Sequence, residues 1–266
     1  MAESWDGAFA LNGLTSKAVK ALEQRGQRRG GGGRGAGRRA VGGMAAQWER
    51  EKALAEAETT INLGIGMPAA ESIPKQQLLA SIQRGAFAEE GDGASDKMWG
   101  YDGSQGYSTL REGMARHFSA VRGARATADH FLIDGGGGGA IATIAQTFLN
   151  PGDAVIAERP GYMGVMDSFV QQHAELAGVP LDDDGMKLDV LEATIDALNA
   201  AGHTPKLLYL QSLFHNPRGQ CYTRDRMVGL IEICARNKVL ILNDEACASM
   251  HLWLSVACAL GCCRCC

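Results

Sequence analysis

From residue 131 onward, short apolar runs alternate with longer amphipathic stretches. Residues 131–133 (FLI), 154–157 (AVIA), 175–182 (ELAGVPLD), 207–210 (LLYL) and 239–244 (VLILND) read as strands. Between them, residues 140–149, 165–174, 189–202 and 223–238 carry apolar positions at helical spacing, the last run opening at a Thr223 cap. Residues 182–188 (DDDGMKL) read as a turn. Strand–helix alternation with short links predicts a parallel sheet with helices packed on it. The runs at 239–247 (VLILNDEAC) and 207–219 (LLYLQSLFHNPRG) end abruptly in polar residues, the pattern of strands buried on both faces. In such a sheet, ligands collect outside the carboxyl ends of the strands.

Upstream, the pattern is less regular. Residues 44–58 read as a charged helix, 74–84 as a helix with Pro74 in its first turn, and 110–121 as an amphipathic helix. Gly64, Gly66 and Pro68 force an extended passage, residues 85–98 form a polar loop, and residues 99–106 (WGYDGSQG) are rich in turn formers. Residues 24–43 are low-complexity arginine and glycine. They read as a flexible leader or an upstream extension of the gene model, or as an RNA-touching segment, a reading weakened by the lack of aromatic residues for base stacking.

Composition narrows the classes. The 266 residues are long enough for one large α/β domain or two smaller ones. A formal net charge of −4 gives no argument for nucleic acid or an anionic membrane. No apolar run reaches the roughly 18 residues of a membrane span. Of eight cysteines, five crowd the last nine residues without zinc-site spacing; Cys221, Cys234 and Cys247 read as single thiols in a reducing, cytoplasmic or organellar, compartment.

Three places carry candidate chemistry. Five glycines, residues 135–139, precede a helix, an arrangement that suits a phosphate but equally describes a slack loop. Asp244 stands at a strand end, where a carboxylate needs a partner to offset its desolvation. Asn216 precedes Pro217 and on its own reads as a turn former.

Four ordered segments carry a family resemblance: residues 101–111 (YDGSQGYSTLR), residues 134–162 with their helix–NPGD–E-x-P-x-Y pattern, FHNPRG at 214–219, and NDEAC at 243–247. Together they resemble the class I/II, fold-type I aminotransferases that depend on pyridoxal 5'-phosphate. INLGIGMP is similar to the substrate-side segment of the branch holding 2-aminoadipate and kynurenine aminotransferases and MocR-type regulators. The resemblance implies a three-layer α/β/α large domain with a mostly parallel sheet, incomplete at its carboxyl end. It implies amino-group transfer between an amino acid and a 2-oxo acid, and a homodimer. Position by position, it places Gly136, Gly137 and Gly138 at the cofactor phosphate, with glycine where the family offers a hydroxyl. Tyr162 would stack on the pyridine ring, Asn216 would bond the ring hydroxyl oxygen, and Asp244 would keep the ring nitrogen protonated. Tyr101 would reach a partner subunit's cofactor phosphate, and Gly66 would line the substrate pocket.

The chain also departs from that pattern. Cys247 stands where the family has a tyrosine, and no lysine follows Lys238, so no catalytic residue is assigned. The expected organisation is a disordered leader over 1–43, an N-terminal arm and partial small domain over 44–100, a partial cofactor-binding domain over 101–248, and an unrelated tail over 249–266. The expected function is that of an aminotransferase-family chain, truncated and catalytically impaired, with a non-catalytic MocR-like regulator as the alternative.

Overall fold

The computed structural model describes residues 70–86 and 99–248. The helix expected at 44–58, the segment holding Gly66, the arginine–glycine leader and the cysteine-rich tail lie outside the described residues. The fold divides into two compact units, one ending at Gly136 and the other starting at Gly137.

In the first unit, α1 spans Lys75–Ala86 and α2 spans Ser108–Arg122. Pro74 sits just ahead of α1, its carbonyl accepting the Leu78 N–H at 3.0 Å. The start of α2 is set by Asp102, whose carboxylate accepts N–H groups from Ser108 and Gly103, each at 2.7 Å. Those two backbone donors, Ser108 first, hold the Asp102 carboxyl below its ordinary range. Arg111 fastens the preceding turn, donating to the Gly106 carbonyl, to Gln105 Oε1 and to the Ala128 carbonyl. Gly106 has a φ of +92°, and a Cβ there would lie 2.6 Å from that of Ile133, so glycine is required twice over.

Phe131–Ile133 reads as a strand in the sequence but is not one. A single 3₁₀ turn, Ala128–His130, leads into extended backbone whose Ile133 N–H donates to the Gln105 carbonyl at 2.9 Å. That partner lies in a turn, which offers one bond and no ladder.

The second unit runs α3 (Gly137–Phe148), β1 (Ala154–Arg159), α4 (Met166–Gln171), β2 (Glu175–Asp182), β3 (Gly185–Met186), α5 (Leu188–Ala200), β4 (Pro205–Leu210), α6 (Arg224–Asn237) and β5 (Leu240–Asn243). The strand order is β3-β2-β1-β4-β5, with β3 alone antiparallel among these described strands. Alternation along β1 and β4 divides the core between two faces. Ile156, Leu208 and Leu210 pack with Leu191 and Ile195 of α5 and Leu230 and Ile233 of α6. Val155, Leu207 and Tyr209 face the other way, against Ile141 and Ala145 of α3 and Met166 and Phe169 of α4. This is the expected α/β/α sandwich. The expectation that residues 239–247 are buried on both faces fails for β5. Among the described residues it pairs only with β4, and Leu240 is 46% exposed.

Arg226 of α6 locks the β2–β3 corner. Its guanidinium grips Asp182 with two bonds of 2.9 and 3.0 Å and donates to the carbonyls of Gly185 and Met186. Gly185 has a φ of +125°, and a Cβ there would lie 2.6 Å from the Tyr222 ring. Partial desolvation raises the Asp182 pKa, but Arg226 and the Asp184 N–H outweigh it, and the net direction is downward.

A carboxyl held low in the folded state stabilises the fold above its unfolded pKa and loses that contribution as pH falls. Stability should therefore drop as pH falls below about 4, and Arg226→Met should flatten that drop while lowering stability at pH 7. Urea unfolding at pH 7, 5 and 3 measures both; an unchanged slope in Arg226→Met contradicts the assignment.

Candidate functional site

The chain leaves β1 toward α4 on one face of the sheet and leaves β4 toward α6 on the other. Connections diverging from neighbouring parallel strands open a crevice at their carboxyl ends. Tyr162 follows β1, Asn216 follows β4 and Asp244 follows β5, so the structure brings these three expected residues to one edge of the sheet. Gly137 and Gly138 form the first residues of α3. A tight turn at residues 149–153 returns α3 into β1, and α3 packs against the Met163–Val165 turn just past Tyr162. The amino end of α3 therefore points to the same edge. Its first-turn N–H groups have no partner inside the helix, and among the described residues nothing beyond the adjoining backbone lies within 4 Å of where a Cβ would stand on Gly136, Gly137 or Gly138. The helix starts three residues earlier than its sequence pattern suggests, which places the glycines within it.

Tyr101 belongs to the first unit and is fully exposed. Gly66 lies outside the described residues.

Behind the crevice lies a polar network that sequence reading missed. Glu158, at 1% exposure, accepts from the Tyr222 hydroxyl at 2.6 Å and from the Gln211 N–H at 3.0 Å. His215 Nε2 stands 3.2 Å from Glu158 Oε2 but off the line of a hydrogen bond. His215 Nδ1 accepts the Arg218 N–H at 3.2 Å, which leaves the ring proton on Nε2, facing the carboxylate.

Asp244 is held on three sides. Its Oδ2 accepts from the Tyr209 hydroxyl at 2.9 Å and from Gln211 Nε2 at 3.3 Å, and its Oδ1 accepts the Ala246 N–H at 3.0 Å. Burial first, and then the Asp244 charge, push the Tyr209 pKa upward, so this phenol remains a neutral donor; Glu158 and Tyr162 act in the same direction. A carboxylate offers about four lone-pair positions. Three are filled within the described residues, leaving one on Oδ1 for a cationic N–H donor.

Asn216 donates its N–H to Gln211 Oε1 at 2.9 Å, and its residue is exposed. Tyr162 is half-exposed, its ring folded over the backbone of Gly164. Cys234 is buried, its thiol pushed up to about 11, and is chemically quiet.

The family model for aminotransferase class I and II matches residues 58–252. This chain belongs to that family. The aromatic-amino-acid aminotransferase 1 of Thermococcus litoralis is 26% identical over 207 residues, 78% of this chain and 48% of that protein. The 2-aminoadipate transaminase of Thermus thermophilus is 28% identical, over 68% of this chain and 42% of that protein. The regulatory protein MocR of Rhizobium meliloti, described as a probable rhizopine catabolism regulator, is 23% identical over 56% of this chain and 29% of that protein. An archaeal alanine:glyoxylate aminotransferase superposes with a TM-score of 0.66 at 30% identity, over 80% of this chain and 50% of its own. The chain spans about half the length of the aminotransferases it matches.

Class I and II aminotransferases use pyridoxal phosphate, and the residues gathered here fit it. Asp244 retains an acceptor position that a protonated ring nitrogen could fill, and the amino end of α3, unobstructed by side chains on its glycines, is of the kind that binds phosphate. Tyr209, Gln211 and Tyr222 had no sequence signal of their own, whereas Glu158 and His215 stood inside the E-x-P-x-Y and FHNPRG motifs without a role assigned to them.

The Glu158 cluster is expected to be costly to break. Glu158→Leu leaves the Tyr222 hydroxyl and the Gln211 N–H without an acceptor and should destabilise the fold by about 3–5 kcal/mol. Tyr222→Phe, which removes one donor, should cost only about 1–2 kcal/mol. Chemical denaturation compares the two directly, and equal losses would contradict a central role for the carboxylate.

Proposed function

We propose that this chain is the cofactor-binding part of a pyridoxal-phosphate-dependent aminotransferase, acting on an amino acid and a 2-oxo acid. The observation that carries this reading is the doubly braced Asp244 beside the switch-point crevice, with an acceptor position still open. When bound, pyridoxal phosphate withdraws electrons from the substrate Cα through its protonated ring. In this reading, Asp244 holds the ring-nitrogen proton and Tyr209 keeps the carboxylate turned toward it. Asn216 bonds the ring hydroxyl oxygen, Tyr162 covers one ring face, and Gly136, Gly137 and Gly138 admit the phosphate to the amino end of α3. Tyr101, fully exposed, is suited to reach the cofactor phosphate of a second subunit in a homodimer of a cytoplasmic enzyme.

The same reading assigns these 266 residues non-covalent binding and impaired transfer. Among the described lysines of the sheet unit, Lys206 lies at the amino end of β4 and Lys238 just before β5, at the edge opposite Asp244. Lys187 follows β3 and donates its N–H across to Pro180 of β2, which puts it four strand spacings from β5 and so roughly 19 Å away at about 4.8 Å per strand. None stands beside the candidate site to hold the cofactor covalently or carry a proton at the substrate Cα. A second reading, a non-catalytic MocR-like regulator, is favoured by the match to MocR itself.

Titration with pyridoxal phosphate, followed by borohydride treatment and peptide mapping, tests the assignment. The expected result is saturable binding, weakened at least about tenfold by Asp244→Asn, with no modified lysine. Unchanged affinity in Asp244→Asn overturns the site, and one reproducibly modified lysine overturns non-covalent binding. Ligand-dependent retention of a specific DNA would favour the regulator.

A further inference from the structure

Gln211 is the first residue after β4, 5% exposed, and its polar groups bond in three directions. Its backbone N–H donates to Glu158 Oε2 at 3.0 Å, its Nε2 donates to Asp244 Oδ2 at 3.3 Å, and its Oε1 accepts the Asn216 N–H at 2.9 Å. The orientation of the side-chain amide follows from its partners: the carboxylate requires a donor and the N–H an acceptor, so the reverse assignment would break both bonds. One side chain thus spans from the loop after β4 to the loop after β5, while its backbone is fixed to the end of β1.

We propose that Gln211 is a positioning residue of the cofactor site, tying Asp244 and Asn216 into one rigid unit anchored on Glu158. The inference rests on the reading of Asp244 and Asn216 as cofactor-binding residues and adds what sets their mutual geometry. Without Gln211, Asp244 keeps one bond on each oxygen, from the Tyr209 hydroxyl to Oδ2 and from the Ala246 N–H to Oδ1, and the Ala246 bond is local, two residues along the same loop. With Gln211 as a second donor on the same oxygen, rotation is blocked and the open position on Oδ1 keeps one direction. Through Oε1, the same amide fixes the backbone of Asn216. Sites held this way lose less freedom when they bind, which favours affinity.

An acid at this position would behave differently. In Gln211→Glu, the introduced carboxylate, once deprotonated, would face Asp244 from the loop after β5 and Glu158 from β1, with the neutral phenols of Tyr209 and Tyr222 and the His215 ring also around the cluster. Two adjoining carboxylates share a proton, and the pair holds it to a higher pH than either acid alone. When protonated, the acid can donate to Asp244 as the amide does; when ionised, it repels it.

The test measures the Kd for pyridoxal phosphate of the full chain by its absorbance change, from pH 5.5 to 8, always as a ratio to the unsubstituted chain at the same pH. Gln211→Met, which keeps the volume and removes both side-chain bonds, should weaken binding on the order of tenfold at every pH. In an Asp244→Asn background the same change should cost much less, because the two act as one unit. Gln211→Glu should show a ratio that rises toward pH 8 and recovers toward pH 5.5. Circular dichroism and urea midpoints verify that each variant folds, and the methionine variant with its double-mutant cycle decides the matter should the glutamate variant fail to fold. Equal affinity in Gln211→Met, or full additivity with Asp244→Asn, overturns the positioning role while leaving the cofactor site standing. Absence of binding by the unsubstituted chain overturns the site itself and the inference with it.

Discussion

A carboxylate with almost no solvent contact cannot stand alone, and the site edge of this sheet is arranged around one. Glu158 ends β1 at the point where the connections from β1 and β4 part. Its charge is met by a phenol, a backbone N–H and an imidazole N–H face, all supplied from the segment after β4. Those partners decide the path of that segment. With the Gln211 N–H turned inward to Glu158, the side chain lies along the strand ends toward Asp244, and residue 216 closes back onto it. The Asn243 side chain adds a parallel tie, accepting the Ser212 N–H at 3.1 Å. The residues nearest the crevice are thus held by a charge that never reaches it.

This arrangement explains which features could be read in the chain beforehand. The alternation of apolar runs is a local property, and β2, with its eight residues, coincides with its sequence pattern. Thr223 caps α6 as its position suggests, accepting the Arg226 N–H. Asp244, Asn216 and Tyr162 were visible because each sits inside a short motif. Gln211 and Tyr209 were not, because their importance lies in register: Tyr209 stands opposite Leu242, so its hydroxyl reaches past the end of β5 to Asp244. No periodicity within β4 contains that information. Ile133 shows the converse, an apolar triplet whose backbone found a turn for a partner instead of a strand.

The glycine run shows how composition misleads about element boundaries. Glycine costs roughly 1 kcal/mol relative to alanine inside a helix, so a helix beginning at Gly137 runs against local propensity. What holds it is the far end, where Ile141 and Ala145 pack against β1 and α4. The amino-terminal turn extends from that anchored portion with no side chains to obstruct it. A stretch that is weak as a helix former is thereby well suited to leave its N–H groups accessible, and tertiary packing supplies the helical order that propensity withholds.

The sheet places Lys206 and Lys238 at the edge opposite its candidate acceptors, and this bears on what the fold can do. Lys206 and Lys238 are carried on the amino-terminal side by parallel strands that all deliver their carboxyl ends to Asp244. Strand direction and register make that separation rigid, since moving either lysine across would require slipping a strand by its full length. The described unit therefore gathers Asp244, Asn216 and Tyr162 at one edge while Lys206 and Lys238 stay fixed at the other. β5 carries the same logic one strand further. Its outward edge and half-exposed side chains lie directly beside Asp244. Any element that paired there would bring its own residues to the carboxylate at about one strand spacing, close to 4.8 Å. It is the pairing of that edge, more than any adjustment within the described network, that would decide how the open position on Asp244 is used.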